Sequence, residues 1–334
     1  MYLKLSVLDQ SPIHDNKEPK EGLHDSIKLA KACEEFGYYR YWCAEHHDTP
    51  GYASANPEIM VSAIASSTSK IRVGSGGVML NHYSSYKVAE TFNSLLALYG
   101  DRIDLGIGRA NGANFLSARA LHNQSNDSYP KKVYDLINFL EDTIPQNDYL
   151  YGIGLSPKQD SSPPVFLLGS SDGSSNLAAK FGLGFCLALF IGTHNRPVEI
   201  MNSYKRDFIP SKNFDKPKTM IAIACICANS IEEAIKIASS HIYWKVQAFR
   251  HMKRDGLYNP DDIAKLYEKL SYEDKVYFHE TMETMVIGTP PQCKNKIEKL
   301  AKEYGVDEVM IVNVSYSFED RLNSYKLLSQ EFNL

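Results

Sequence analysis

The stretch Met220-Ile221-Ala222-Ile223-Ala224-Cys225-Ile226-Cys227-Ala228 contains no charged, hydroxyl or amide side chain. A strand with one wet face alternates apolar and polar residues, so an unbroken apolar run reads as a strand buried on both faces. Runs of the same kind, rich in β-branched and aromatic residues, lie at 3–8, 39–44, 71–80, 103–108, 165–169, 185–190 and 308–314. Between them the apolar spacing changes to a helical period: Leu23, Ile27, Ala30; Val88, Phe92, Leu95, Leu96, Tyr99; Val133, Leu136, Ile137, Leu140; Ile297, Leu300, Ala301, Tyr304. An amphipathic segment, Leu322, Tyr325, Leu328 and Phe332, follows the last run.

Eight buried strands, each followed by helical pattern, predict an α/β protein built as a closed (β/α)8 TIM barrel. A doubly wound open sheet seldom repeats the unit so often. Two connections are too long for turns, 109–129 after the fourth run and 240–287 between the seventh and eighth. Insertions of this kind form lids or extra helices beside a barrel's active site. No shift in composition marks a linker, so residues 1–334 read as one domain.

Composition narrows the function. The 334 residues are 43% hydrophobic and 23% charged, as in ordinary globular proteins. A net charge of −4 without a dense Lys/Arg run argues against nucleic acid as a partner. The chain opens without a secretory pattern, and no apolar stretch approaches the ~20 residues of a membrane span. That predicts a cytoplasmic protein with no membrane partner. Cys33, Cys43, Cys186, Cys225, Cys227 and Cys293 lack C-x-x-C or metal spacing and read as buried thiols; no metal is expected. On a strand, Cys225 and Cys227 would face the same way.

Barrel active sites lie at the carboxyl ends of the strands, which selects a short set of residues. These are Asp9-Gln10-Ser11-Pro12, Glu45-His46-His47, Gly74-Ser75-Gly76-Gly77, Arg109-Ala110-Asn111-Gly112 and Ser170-Ser171-Asp172-Gly173-Ser174-Ser175. The serine-rich stretch opens a helix directly after a strand. Unpaired backbone N–H groups, the positive dipole end and the hydroxyls suit a phosphate there, although the same residues would also serve as an ordinary helix cap. Arg109, across the rim, can give the same anion a bidentate partner. His46 and His47 are adjacent and point to opposite sides, which makes them poor chelators. A histidine at the mouth suits either acid/base chemistry or a structural hydrogen bond. Gly76-Gly77 interrupts a strand and marks either a ligand's approach to the backbone or a packing kink. Gly106-x-Gly108-x-x-x-Gly112 has neither the spacing nor the βαβ setting of a dinucleotide site.

Four of these segments carry a resemblance. Leu8-Asp9-Gln10-Ser11-Pro12, Tyr41-Trp42-Cys43-Ala44-Glu45-His46-His47, Ile71-Arg72-Val73-Gly74-Ser75-Gly76-Gly77-Val78-Met79-Leu80 and Arg102-Ile103-Asp104-Leu105-Gly106-Ile107-Gly108-Arg109-Ala110 resemble, in this order, the luciferase-like monooxygenase family of flavin-dependent oxidoreductases. So do 169–175, 308–314 and Glu319-Asp320-Arg321, and the likeness runs from Leu3 to about Phe332. It implies a barrel that binds FMN, with Arg109, Ser170, Ser171 and Ser174 around the phosphate and the isoalloxazine over Gly76 and Gly77. Relatives carry a non-proline cis peptide at that glycine position. His46 matches the family's acid/base histidine. Ser85, Gly100 and Asn111 stand where the family often has proline; the first two bear on a helix start and a turn, while Asn111 lies in the candidate lid.

The resemblance further implies a homodimer through outer helices near residues 57–98. It implies a separate flavin reductase that supplies reduced FMN as co-substrate, O2 adding at the flavin C4a, and the resulting peroxyflavin oxidising a small organic substrate. A deazaflavin-dependent reductase on the same barrel, or a flavin-binding protein without the chemistry, are the rival readings. An aldolase or isomerase barrel would need a Schiff-base lysine or metal ligands at strand ends, and no lysine or carboxylate cluster stands there. Tyr2, Trp42, Tyr83, Phe115 and Phe190 are the candidates for an apolar substrate pocket, and barrel aromatics are more often core.

Overall fold

The computed structural model describes residues 3–14, 16–109, 112, 115–121 and 128–334. Its strands are β1 (Lys4–Asp9), β2 (Arg40–Cys43), β3 (Arg72–Ser75), β4 (Val78–Met79), β5 (Ile103–Gly108), β6 (Val165–Gly169), β7 (Gly184–Ala188), β8 (Thr219–Cys227), β9 (Val286–Gly288) and β10 (Glu308–Val312). All neighbours pair in parallel, and β10 bonds both β1 and β8, which closes the sheet. Because β3 and β4 share one place beside β5, and β9 only extends the end of β8, the ring has eight positions. This is the (β/α)8 barrel the sequence predicts.

β8 shows why its run lacks alternation. Ile221, Ile223, Cys225 and Cys227 pack outward in the layer beneath the helices, whereas Met220 and Ala222 pack inward with Leu8, Trp42, Phe166 and Met310. Cys225 and Cys227 do share a face, and all six cysteines are buried and free.

Three expectations are refined. The run 71–80 is two strands, because the chain leaves strand geometry at Gly76-Gly77, whose peptide is cis. β9 was not foreseen; at three residues it is too short to stand out as a run. The insertion placed at 240–287 begins later, since the helix Ile231–Arg250 passes straight through Ser240. That helix is capped by Ser230, its apolar stripe Ala234, Ile237, Ala238, Ile242 and Val246 continues past Ser240, and the Ser240 hydroxyl donates to the Tyr258 carbonyl at 2.6 Å. The insertion proper holds the helices Pro260–Glu268 and Tyr272–Thr284. The connection after β5 contains the helix Phe115–Leu121; Ala110 and Asn111, like Tyr2, lie outside the described residues.

Charge closes the amino end of the barrel. Arg40, at the start of β2, pairs with Asp104 of β5 and Glu308 of β10, each at 2.6 Å, and all three are buried. The Ser6 hydroxyl and Trp42 indole donate to the same carboxylates. A buried pair this well satisfied plugs that end and leaves the carboxyl ends of the strands for a site.

Candidate functional site

The carboxyl ends of the strands surround a cavity of about 490 Å³. The catalytic and FMN-binding candidates from the sequence, His46, Gly76, Gly77, Arg109, Ser170, Ser171 and Ser174, all line it.

Three serines sit where β6 hands over to the helix Asp172–Lys180. Ser171 is the N-cap residue, and its hydroxyl makes no capping bond, while Ser174 and Ser175 nitrogens bond the Ser171 carbonyl at 3.0 and 3.2 Å. Gly169 makes the handover possible: a Cβ there would lie 2.2 Å from the Ser174 Cβ. Arg109 leaves the end of β5, with its carbonyl held by the Asn81 amide at 3.1 Å. Among the described residues it forms no ion pair, so the cavity gathers a guanidinium, three hydroxyls and a helix N-terminus without a fixed counter-anion.

Beside this lies bare backbone. A Cβ on Gly76 would approach Leu8 Cδ1 to 2.4 Å, and one on Gly77 would approach the Gly106 carbonyl oxygen to 2.7 Å. At Gly77 the clash is with backbone and only glycine fits, while at Gly76 a side chain would have to displace Leu8. The cavity therefore has one stretch of wall without side chains, the kind of surface a flat ring can lie against.

His46 and His47 diverge as expected. His47 turns away from the cavity's centre: its Nε2 lies 2.7 Å from Glu45 Oε1, and its nitrogen donates to the Gly112 carbonyl. Glu45 is fully buried and also accepts from the Tyr83 hydroxyl at 2.8 Å and the Met79 nitrogen at 2.9 Å. So Glu45 orients His47 and the end of β4, and among the described residues His46 has no carboxylate partner. The His46 ring leans on Tyr52, with centroids 4.7 Å apart, and among the described residues its Nδ1 has no hydrogen-bond partner. Burial first, then the charges of Arg254 and His47, bring its pKa down to about 4, so the ring is neutral at neutral pH.

The aromatic candidates fare unevenly. Phe190 lines the cavity, but Trp42 is core against Phe166, Tyr83 is tied to Glu45, and Phe115 is 78% exposed. Tyr52, Trp244 and Phe249 line it instead. Asp9 belongs to the scaffold: it is bound by Arg321, by the Tyr41 hydroxyl at 2.5 Å and by the Ser11 nitrogen at 2.8 Å. The sequence reading also missed His241, Lys245 and Arg254, which border the cavity from the helix after β8 and the loop beyond it. A His and a Lys one turn apart inside an otherwise apolar helical stripe were the available signal.

The luciferase-like monooxygenase family model matches residues 3–308. The chain belongs to the luciferase-like monooxygenase family. Within it, the chain is 33% identical to the N-acetyl-S-alkylcysteine monooxygenase of Bacillus subtilis over 98% of this chain and 97% of that one. It is 31% identical to a luciferase-like monooxygenase of Escherichia coli K12 over 97% and 96%. The crystal structure of apo-MsnO8 superposes with a TM-score of 0.89 at 33% identity, covering 100% of this chain and 98% of that chain. More distant solved structures share the fold. One is the oxygenating constituent of 3,6-diketocamphane monooxygenase from Pseudomonas putida in complex with FMN (TM-score 0.71, 17% identity, 99% and 97% covered). Another is an F420-dependent secondary alcohol dehydrogenase in complex with an F420-acetone adduct (TM-score 0.71, 16% identity, 99% of each chain covered). Family membership and the monooxygenases among its relatives support an enzyme. Among the described residues no helix is long and apolar enough to cross a membrane.

Proposed function

We propose that the chain is an FMN-dependent monooxygenase that receives reduced FMN from a separate reductase and, with O2, oxidises a small organic substrate at the barrel mouth. The observation that carries the reading is the union, in one cavity of a luciferase-like barrel, of an anion-binding cluster and a side-chain-free strand. FMN has a phosphate for the first and a flat ring for the second. When bound, the reduced flavin supplies the electrons that activate oxygen.

The chain's own residues do the rest. Arg109, Ser170, Ser171 and Ser174 hold the phosphate through charge-assisted and neutral hydrogen bonds. Gly76 and Gly77 let the ring approach the backbone. Leu8, Ala44, Ala188 and Ala222 line the cavity with apolar groups that limit water around the reacting centre. His46, neutral, offers one N–H and one ring lone pair, so it can hold or accept a proton at the edge of the cavity.

The test adds FMN and a deazaflavin in turn to purified protein and follows flavin absorbance, then mixes the reduced complex anaerobically prepared with oxygen. Selective FMN binding with rapid reoxidation by O2 is the expected result. Tight binding of the deazaflavin alone, with no response to oxygen, would transfer the chain to the hydride-transferring reductases of the same fold.

A further inference from the structure

Lys245 is a cation without a counter-charge. It is 4% exposed, sits on the helix Ile231–Arg250 and donates one hydrogen bond, 2.7 Å long, to the Phe190 carbonyl after β7. An ammonium has three donors, so two remain. Among the described residues no carboxylate offsets the charge: burial alone acts on the group, bringing its pKa down to about 8, so most of it is still protonated at neutral pH. One turn earlier on the same face stands His241, 1% exposed, its Nδ1 without a hydrogen-bond partner among the described residues. Burial first and then Lys245 keep that ring neutral. Both residues border the cavity. The acid that borders it, Glu45, is engaged with Met79, Tyr83 and His47 and is not available to them.

A buried, uncompensated cation beside an unsatisfied imidazole nitrogen is costly; a ligand that brings an anion with acceptor oxygens removes the first cost and, in the ring tautomer that carries its hydrogen on Nδ1, the second as well. Trp244, Ala222 and Ala188 also line the cavity, so an apolar body has surface to bury against there. Building on the monooxygenase reading above, we propose that the organic substrate is an apolar molecule bearing a carboxylate, and that Lys245, with His241 beside it, is the specificity-determining site for that carboxylate.

The experiment is calorimetric titration with octanoate and with octan-1-ol, probes that share a chain and differ in the carboxylate. It is run on FMN-loaded and FMN-free wild type, Lys245→Met and Lys245→Arg, with FMN and riboflavin affinities measured on each protein. Wild type should prefer octanoate by about tenfold or more, as a charge-assisted contact gives. Lys245→Met should bring the two probes near parity, and Lys245→Arg should keep the preference. FMN-over-riboflavin preference should be the same in all three. Equal binding of the probes to wild type, or binding of neither, overturns the proposal. So does a fall in the FMN-over-riboflavin ratio in Lys245→Met, which would assign the lysine to the phosphate. Absence of FMN binding with the octanoate preference intact counts against the flavin reading alone. Thermal melts show whether Lys245→Met folds; if it does not, Lys245→Arg and the wild-type probe preference still decide.

Discussion

The carboxylate of Glu45 accepts a hydrogen bond from the backbone nitrogen of Met79 at 2.9 Å. Met79 ends β4, just beyond Gly76 and Gly77, so a residue that follows β2 fixes the backbone against which a flavin would lie. The other carboxylate oxygen holds His47 and Tyr83. Removing the carboxylate leaves the buried Met79 backbone donor unmatched and takes the shared acceptor from Tyr83 and His47, which among the described residues retain only their mutual hydrogen-bonding contact at 3.3 Å. Glu45→Ala should therefore cost about 3–5 kcal/mol, the range for breaking a buried pair. Urea unfolding measures the loss, and FMN affinity should fall with it because the glycine strand is no longer held. A stability within 1 kcal/mol of wild type, roughly the net worth of one hydrogen bond, would contradict this.

Arg109 supplies the second expectation. If its guanidinium and the serine cluster bind phosphate, FMN should bind much more tightly than riboflavin, which lacks the phosphate. Charge-assisted hydrogen bonds are worth about 1.5–3 kcal/mol, so Arg109→Ala should weaken FMN at least about tenfold and leave riboflavin nearly unchanged. Fluorescence titration of both ligands decides it: equal affinities in wild type remove the phosphate site.

Much of this was legible in the sequence because parallel barrels write themselves plainly. Runs such as 220–228 are apolar on both faces, and the active end follows from the fold, so His46, Gly76, Arg109 and Ser171 could be named before any contact was seen. Partner choice was not legible. Nothing in Glu45-His46-His47 says that the carboxylate serves His47, since that depends on where Met79 and Tyr83 arrive from another strand. Lys245 and His241 were hidden for a different reason. They lie in a helix whose apolar spacing marks it as packing, and only the way that helix packs on β8 and β9 brings them to the cavity.

The outer surface carries a third expectation. On the neighbouring helices Pro57–Ser67 and Ser85–Tyr99, Ile59 is 67% and Leu98 70% exposed. Two-fold association is the commonest oligomer of a soluble enzyme, and this face has apolar residues to bury. A homodimer is expected, with Ile59→Asp and Leu98→Asp together shifting the mass measured by light scattering to that of a monomer. A wild-type monomer at the same concentration rules the dimer out.

His46 carries the last expectation, in which stability and catalysis are separable. Its pKa falls from 6.5 to about 4 on folding, so the unfolded chain binds the extra proton between those values. Stability from this group is thus fully present above pH 6.5, is lost progressively as pH falls toward 4, and changes no further below that. At most it amounts to about 3 kcal/mol, less where cavity water solvates the ring. His46→Gln should flatten the fall in urea midpoint over that window while changing little at pH 8, above both pKa values. FMN affinity should also change little, because the phosphate ligands lie after β5 and β6. Turnover should drop by roughly 10²–10⁴, the usual contribution of a positioned acid or base. Following flavin absorbance after mixing the reduced FMN complex with oxygen, with product analysis on a carboxylate substrate, separates the two roles. Loss of FMN binding in His46→Gln, or unchanged oxidation kinetics and product yield, would make His46 a structural residue of the cavity wall, held against Tyr52 and taking no part in proton transfer.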